Sequence, residues 1–193
     1  MKKFLIYLSA FVILSLYFVL TIFILPSEFL MTEQLVPEPS FTAILSETNI
    51  TLGDSFHLDI VSMNNGDYAD IHIVSVAFPD LNIIDDVVKI TTYDFTLSPS
   101  YISVDDEIGS KYSGGVETTL AQYPSIEAMS RPLKPDVQTH FDLLITPQEL
   151  GLFNIYVKSI GIPHTSDISH YPYSGFLDHQ NEYVSVYSVS VNP

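Results

Sequence analysis

The sequence contains no cysteine. This absence excludes disulfide bonds, thiol nucleophiles, cysteine zinc sites and cysteine-ligated iron–sulfur clusters. A lipoprotein anchor, which is attached through a cysteine, is excluded as well. Cysteine pairing therefore gives no information about the redox compartment of the protein.

Basic residues are scarce. The chain has seven Lys and Arg residues against 23 Asp and Glu residues, and Lys2 and Lys3 precede every acidic residue. The part beyond residue 25 therefore carries five basic and 23 acidic residues, a formal net charge of −18. Because such a body repels phosphate backbones, we expect no nucleic-acid partner. A solvated surface suited to a salty or extracellular medium is the simpler interpretation, and attraction for cations or a basic partner is the alternative.

The common catalytic motifs are also missing. The sequence has no G-x-S-x-G elbow, no H-E-x-x-H, no P-loop and no Rossmann glycine pattern. Paired carboxylates for sugar hydrolysis would be visible only in three dimensions. We therefore predict a protein that is not an enzyme and that uses no cofactor.

A long apolar run lies at the N-terminus, in "MKKFLIYLSAFVILSLYFVLTIFILP". Its 22 uncharged residues, Phe4 to Leu25, would form a helix of about 33 Å, which matches the ~30 Å hydrocarbon core of a bilayer. A cleaved signal peptide is the alternative, but it would have a shorter apolar core and an A-x-A-like site, which "FILPSEF" lacks. We predict that residues 1–25 form a cytoplasmic N-terminus and an uncleaved transmembrane signal anchor.

The charges around this run predict its orientation. Lys2 and Lys3 precede it and glutamates follow it, so the positive-inside rule places the N-terminus in the cytoplasm and the acidic body outside it. We therefore predict a single-pass membrane protein that contacts the membrane through residues 4–25. Residues 26–40 contain three prolines and no regular pattern, and they are predicted to be a linker.

Beyond the linker, period-2 patterns dominate. In "SFHLDIVSM" the apolar residues alternate with polar ones, an Asn-Gly turn signal follows, and "ADIHIVSVAF" is apolar on both faces, which predicts a central strand. Histidines 57, 72 and 140 are expected to point outward. Further strand candidates are "LNII", "VVKITT", "QTHFDLLIT", "LFNIYVKSI" and "EYVSVYSVSV". About seven short strands separated by turns predict an antiparallel β-sandwich over residues 41–193.

The stretch "ITLGDSFHLDIVSMNNGDYADIHIVSVAFPDL" resembles the opening of the Ig-like modules called CARDB or NEW3, which occur on prokaryotic cell surfaces, archaeal ones included. Gly53, Gly66 and Pro79 stand at the matching turn and strand positions, and "TPQELGLFNIYVKS" adds Gly151. The resemblance covers residues 46–98 and 139–160. It implies an all-β fold with an Ig-like antiparallel β-sandwich, to which the apolar run at the N-terminus adds one transmembrane helix. It also implies an adhesive or scaffolding role without a catalytic site.

A long insertion occupies residues 98–137. It contains four prolines, a Gly-Gly pair and several aromatic and apolar residues, and loops of this length are usually functional or disordered. We predict a folded-back loop that covers one edge or face of the sandwich. The alternative is a docking surface for a partner.

The final loop, "HTSDISHYPYSGFLDH", is rich in potential metal ligands. Imidazole and carboxylate groups of this kind bind copper or zinc. No two histidines have helical or strand spacing, so an ordinary polar loop is the first interpretation and a metal site is the alternative. Adjacent acids at Asp85–Asp86 and Asp105–Glu107 could bind calcium or simply face water. The candidate ligands of the loop are His164, Asp167, His170, Asp178 and His179.

Together these features predict a membrane-anchored, extracytoplasmic Ig-like domain that acts as a structural or protein-interaction module of the cell envelope. Its partner is expected to be another envelope or membrane protein. The alternative is a copper-, zinc- or calcium-binding accessory subunit of a membrane complex. The triplet "NIT" at Asn49 is an N-glycosylation sequon that this topology would permit.

Overall fold

The computed structural model describes residues 2–21, 35–108, 119–164 and 168–193. The chain divides into two compact units, Met1–Gln34 and Leu35–Pro193. The first unit contains helix α1, and the second contains fourteen strands in the described ranges. The elements are α1 (Lys2–Val19), β1 (Pro39–Leu45), β2 (Asn49–Thr51), β3 (Phe56–Asn64), β4 (Ile71–Ala77), β5 (Val88–Tyr93), β6 (Ser100–Ile102), β7 (Glu107–Ile108), β8 (Thr119–Leu120), β9 (Ser125–Ser130), β10 (Gln138–Ile145), β11 (Gly151–Ile162), β12 (Ser169–Tyr171), β13 (Phe176–Leu177) and β14 (Tyr183–Asn192).

The large apolar side chains of helix α1 from Tyr7 to Val19 are exposed, with Phe11 and Leu14 each at 70%. Within the described ranges, no helix is both long enough and apolar enough to cross a membrane.

The second unit is built from antiparallel sheets arranged as a sandwich. The smaller sheet has the order β1-β3-β10-β5, and the larger, eight-stranded sheet runs β13-β14-β11-β4-β9-β6. In addition, β12 pairs with β11, and β2 pairs in parallel with β14. Strands β7 and β8 form a separate two-stranded ribbon. The predicted β-sandwich is confirmed.

The core lies between the two sheets. Strands β3 and β10 pair in register, so Ile60 opposes Phe141 and Leu58 opposes Leu143, and these four side chains are completely buried. Val74 and Ile155 face them from the larger sheet and belong to the same buried cluster. Burial of each such side chain stabilises the fold by roughly 1.5–3 kcal/mol.

The strands with clear patterns lie where the sequence predicts them. Strands β3, β5, β10, β11 and β14 match within two residues, and the doubly apolar β4 is an interior strand between β11 and β9. Segment "LNII" instead forms an irregular stretch in which Ile84 is buried. The region 98–137 contributes β6, β7, β8 and β9, and β9 pairs along its full length with β4.

The prediction that the three strand histidines point outward is wrong for His72. Its side chain is completely buried, at the same face as Val74, and its ring stacks against Phe95 at 6.4 Å. Its Nε2 forms a hydrogen bond of 2.9 Å with the Ser159 hydroxyl. Because β4 is apolar on both faces, alternation alone does not reveal which side the histidine takes. His57 and His140 do lie on the solvent side of the smaller sheet.

The chain is attached firmly to the sandwich from its first described residues in the second unit. The Val36 amide donates to Asp67 Oδ2 at 3.0 Å, and the Asp67 amide donates to the Val36 carbonyl at 3.0 Å. A Cβ added to Gly66 would lie 2.4 Å from that carbonyl oxygen, and one added to Gly161 would lie 2.8 Å from the Pro37 Cβ. The two glycines therefore provide the space in which residues 36–38 pack, and β1 begins at Pro39, inside the predicted linker.

Candidate functional site

A cleft of about 450 Å³ lies on the outer face of the larger sheet. Its floor is formed by outward-facing side chains of β4, β9 and β11, since Ser75 is in register with both Lys158 and Glu127. One wall comes from the region of β6 to β9, and the other from the loop 168–184. The principal lining residues are Ser75, Ile102, Tyr123, Glu127, Tyr156, Lys158, His170, Asp178, His179 and Glu182.

A buried lysine organises one end of this cleft. Lys158 Nζ donates to Asp178 Oδ2 at 2.9 Å and to Gln180 Oε1 at 3.3 Å, and it also contacts Glu182 Oε2. These four residues are called the Lys158 cluster below. The side chains of Lys158 and Asp178 are only 11% and 3% exposed. All three ammonium protons have an acceptor within the cluster.

Burial and charge oppose each other at this lysine. Burial lowers the pKa of Lys158, but the carboxylates of Glu182 and Asp178 more than offset this effect, so its pKa is raised above the ordinary value. The lysine therefore stays protonated, as a buried ion pair requires.

Asp178 also holds the shape of its own loop. Its Oδ1 accepts hydrogen bonds from the backbone amides of Gln180 at 2.8 Å and Glu182 at 3.0 Å. Asn181, inside this turn, has a positive φ of 61°, a conformation that asparagine tolerates better than most residues. The carboxylate thus fixes the turn with one oxygen and the lysine with the other.

Aromatic rings line the opposite part of the cleft. The Tyr123 ring meets the Tyr156 ring edge-on at 5.7 Å and the His179 ring at 4.7 Å, and Phe176 lies 5.2 Å from Tyr156. Burial, together with the charge of Asp178, raises the pKa of Tyr123, so its hydroxyl is protonated. Burial lowers the pKa of His179, which favours a neutral imidazole.

Three polar atoms of this wall are buried, namely Tyr123 Oη and both ring nitrogens of His179. A backbone hydrogen bond with His179 affects the pKa of Tyr123, and one with Leu120 affects the pKa of His179. Ring packing and these backbone contacts together hold the wall.

The structure brings three of the predicted metal ligands to the cleft and places a fourth elsewhere. His164 Nδ1 pairs with Asp70 Oδ2 at 2.8 Å, away from the cleft. His170, Asp178 and His179 all line the cleft, but Asp178 is bound to Lys158 and His170 Nδ1 lies 3.8 Å from Glu182 Oε1. Asp167 lies outside the described residues.

Metal-ligating groups are not assembled elsewhere in the part of the chain that the structure describes. No set of three or more His, Asp or Glu side chains there is placed to hold an ion. The predicted calcium candidates Asp85, Asp86 and Asp105 lie in turns, and Asp86 and Asp105 have positive φ values of 65° and 68°. Because Asp167 is not described, the five-residue metal site stays a prediction.

Sequence reasoning did not identify Lys158, Glu182, Tyr123 or Tyr156 as site residues. The local pattern gave no signal, because Lys158 stands with Asn154 and Tyr156 on the outward face of the alternating strand "LFNIYVKSI". The identity of its buried acidic partner, twenty residues further on, depends on the tertiary fold.

Known proteins give limited guidance. No known protein family matches the sequence, and no curated protein matches it. Among solved structures, the fold is similar to the CARDB domain of a Pyrococcus furiosus protein crystallised with di-metal ions, at 13% identity and a TM-score of 0.39, with 83% of this chain and 98% of that chain covered. A CARDB domain, the kind of module that the sequence resembles, is thus among the solved structures that this chain matches.

Two further structures show the same level of similarity. A protein from Corynebacterium diphtheriae described as membrane anchored shares 10% identity at a TM-score of 0.40, with 80% of this chain and 36% of that chain covered. A Listeria innocua β-glucosidase in complex with glucose shares 17% identity at a TM-score of 0.37, with 81% of this chain and 16% of that chain covered. Because all these identities and TM-scores are low, no ligand, activity or partner of this protein follows from them.

Proposed function

We propose that the protein is a membrane-anchored, extracytoplasmic β-sandwich that serves as a non-catalytic interaction module of the cell envelope. In this proposal, residues 4–25 hold the chain in the bilayer with the N-terminus in the cytoplasm. The acidic sandwich then stands outside the cytoplasm and binds another envelope or membrane protein. The observation that carries the proposal is the exposed apolar surface of α1.

The exposure of such an apolar helix surface to water is unfavourable. Large apolar side chains such as Phe11, Ile13 and Leu14 are exposed on it, and contiguous apolar surface of this kind marks a membrane or protein contact. The Thr21 hydroxyl, just beyond the end of α1, is satisfied internally, since it donates to the Tyr17 carbonyl at 2.8 Å. Such internal pairing is what a hydrocarbon environment demands.

The sandwich itself has features that suit a protein partner. Leu152, Phe176 and Val186 are 60%, 51% and 43% exposed, and Leu152 and Val186 lie on the outer face of the larger sheet. Exposed apolar side chains next to an acidic surface fit a partner with an apolar, basic patch.

The absence of cysteine makes the topology directly testable. Single cysteines would be introduced into the full-length chain at Lys3 and at Leu150, which is exposed on the sandwich. A membrane-impermeant maleimide should label L150C in intact cells and should label K3C only after permeabilisation. Labelling of K3C alone in intact cells would contradict the proposed orientation.

Anchoring is tested on the same chain. The double variant Leu14→Arg/Leu16→Arg should leave the membrane fraction after an alkaline wash, because arginine at the centre of a helix opposes insertion by about 2.5–3.5 kcal/mol per residue. The matched control, Leu14→Ile/Leu16→Ile, should stay with the membrane. Equal retention of both variants would show that α1 is not the anchor.

The interaction is tested with the full-length protein in mild detergent. We expect a reproducible complex of fixed stoichiometry, which Leu152→Asp/Val186→Asp weakens and the control Leu150→Asp does not. Light scattering after size exclusion measures the mass of the complex. A lone monomer under gentle solubilisation would contradict the interaction part of the proposal and leave the topology experiment unaffected.

A further inference from the structure

The cleft on the outer face of the larger sheet has the dimensions of a small-molecule site. Its volume of about 450 Å³ falls within the range of roughly 300–1,000 Å³ that is usual for ligand pockets. Its floor carries the polar side chains of Ser75, Glu127 and Lys158, and isoleucine and tyrosine side chains contribute apolar surface around them. The charges and rings around it indicate which ligand it fits.

The positive charge of the cleft is not available to a ligand. Each donor of Lys158 is directed at an acceptor of its own cluster, namely Asp178, Gln180 or Glu182. A phosphate or carboxylate ligand would have to displace one of these partners and leave a buried carboxylate unpaired, at a high cost. The cleft therefore does not suit an anion.

The remaining charge is negative. In the Lys158 cluster two carboxylates, those of Asp178 and Glu182, stand against one ammonium. Asp178 is fully engaged, whereas the side chain of Glu182 is 29% exposed and its Oε1 lies beyond hydrogen-bond distance from His170 Nδ1, at 3.8 Å. Glu182 can therefore accept a hydrogen bond from a cation in the cleft.

The aromatic wall adds a second attraction for a cation. Tyr123 and Tyr156 both line the cleft, and their rings are nearly perpendicular, at 86°. Tyr156 is only partly buried at the cleft, so part of its ring is open to a neighbouring cation.

We propose that this cleft binds a small organic ammonium ion, with Glu182 as the charge partner and Tyr156 as the cation–π partner. The apolar part of the ligand would pack on the isoleucines of the walls, Ile102, Ile160 and Ile168. A free amine and the lysine side chain of a partner protein share this chemistry. The proposal does not depend on the membrane anchor or on the orientation of the chain.

Isothermal titration of the full-length protein in detergent tests this proposal with cadaverine as the probe. Glutarate, a dicarboxylate of the same length, is the matched anionic control. We expect saturable binding of cadaverine and none of glutarate. Saturable binding of glutarate in preference to cadaverine, or no binding of cadaverine at millimolar concentration, would overturn the proposal.

Two variants examine the assigned groups. Glu182→Gln keeps an acceptor for Lys158 but removes the charge, and it should weaken cadaverine binding about tenfold. Tyr156→Leu keeps apolar bulk but removes the ring, and it should weaken binding about fivefold. The control Glu149→Gln alters an exposed carboxylate outside the cleft and should bind as the wild type does. Wild-type affinity in both cleft variants, with circular dichroism showing that they are folded, would overturn the assignment.

A comparison of probes identifies the source of the ammonium group. Nα-acetyl-lysine amide keeps the side-chain ammonium of a lysine within a protein. If it binds more tightly than cadaverine, the ligand is a lysine of a partner protein. Tighter binding of the free diamine would indicate a small metabolite. Both results support an ammonium site, and each directs the search to a different ligand.

Discussion

Lys158 Nζ lies 2.9 Å from Asp178 Oδ2, and the two side chains are almost completely buried on the outer face of the larger sheet. An ion pair in this position ties the loop 178–182 to strand β11. Such a pair contributes little net stability compared with an apolar pair of similar size, but the loss of one partner alone leaves an uncompensated buried charge.

The substitution Lys158→Met should therefore destabilise the fold by about 3–5 kcal/mol. Lys158→Met/Asp178→Asn should recover part of this loss, because asparagine carries no charge and still accepts the backbone hydrogen bonds of Gln180 and Glu182. Urea unfolding of the four proteins in the double-mutant cycle measures the coupling. The control Lys89→Met, at an exposed position of β5, should change the free energy of unfolding by less than about 0.5 kcal/mol. Strictly additive effects would show that the two side chains do not act as a pair.

His72 should make the fold sensitive to mild acid. Burial lowers its pKa from 6.5 to about 4, so the folded state binds this proton less readily than the unfolded state does. Its contribution is complete above pH 6.5 and declines as the pH falls toward 4, by about 3 kcal/mol in total. The free energy of unfolding, measured from pH 7 to pH 4, should fall more steeply for the wild type than for His72→Gln. Because the carboxylates titrate in both proteins, the difference between the two curves isolates the histidine, and parallel curves would contradict the prediction.

Gly66→Ala should disturb the attachment of residues 36–38. The new Cβ would lie 2.4 Å from the Val36 carbonyl oxygen and 2.6 Å from the Glu38 amide nitrogen, and relief of such overlap costs about 1–3 kcal/mol. Gly53→Ala is the control, because Gly53 has a φ of +93° but nothing within 4 Å of the added atom. Hydrogen exchange should show faster exchange of the Asn65 and Asp67 amides in Gly66→Ala only. Equal protection in both variants would mean that the segment adapts without detaching.

Phe141→Ala should open a cavity in the core. Phe141 is completely buried, and its ring contacts Tyr93 at 5.7 Å and Phe95 at 6.2 Å. Removal of such a ring typically costs about 3–5 kcal/mol. Ile44→Ala, at a position 62% exposed on β1, should cost less than about 0.5 kcal/mol. Thermal and urea unfolding compare the two, and similar stabilities would place the core elsewhere.

The strands with strict alternation could be predicted because one of their faces is buried. In β3 and β10 every second residue points into the core, so the alternation of apolar and polar residues in the sequence directly predicts the strand and its buried face. Strand β14 is harder to interpret. Val189 is buried between the sheets, whereas Val184 lies on the other face and is buried at the cleft. Because apolar residues are buried on both faces of β14, the alternation of apolar and polar residues in its sequence is weak.

Strand β9 was missed, and "LNII" was wrongly predicted to be a strand, for reasons that lie in their surroundings. Strand β9 is flanked by Pro124 and Pro132 and carries Glu127 on its outer face, so that it looks like loop sequence. Its neighbour β4, far away in sequence, provides the hydrogen bonds that make it a strand. In segment "LNII", Leu81 and Ile84 pack against the core without forming a strand. An apolar run can therefore be buried in an irregular conformation.

The site was less predictable than the fold. The sequence predicts the histidines of the final loop to be candidate metal ligands, and in the structure His164 Nδ1 contacts Asp70 Oδ2, ninety-four residues away in the chain. The Lys158 cluster joins β11 to a turn twenty residues later. Contacts of this kind depend on the tertiary fold, so they cannot be predicted from the spacing of neighbouring residues in the sequence.

The edge-to-face contact of Tyr123 with Tyr156 has an optical consequence. The chain contains no tryptophan, so its near-ultraviolet circular dichroism and emission arise from tyrosine and phenylalanine. Two perpendicular phenol rings 5.7 Å apart couple their electronic transitions, and a molecule that enters beside them changes that coupling. The unlabelled protein therefore carries its own chromophore pair, with which occupancy can be followed spectroscopically.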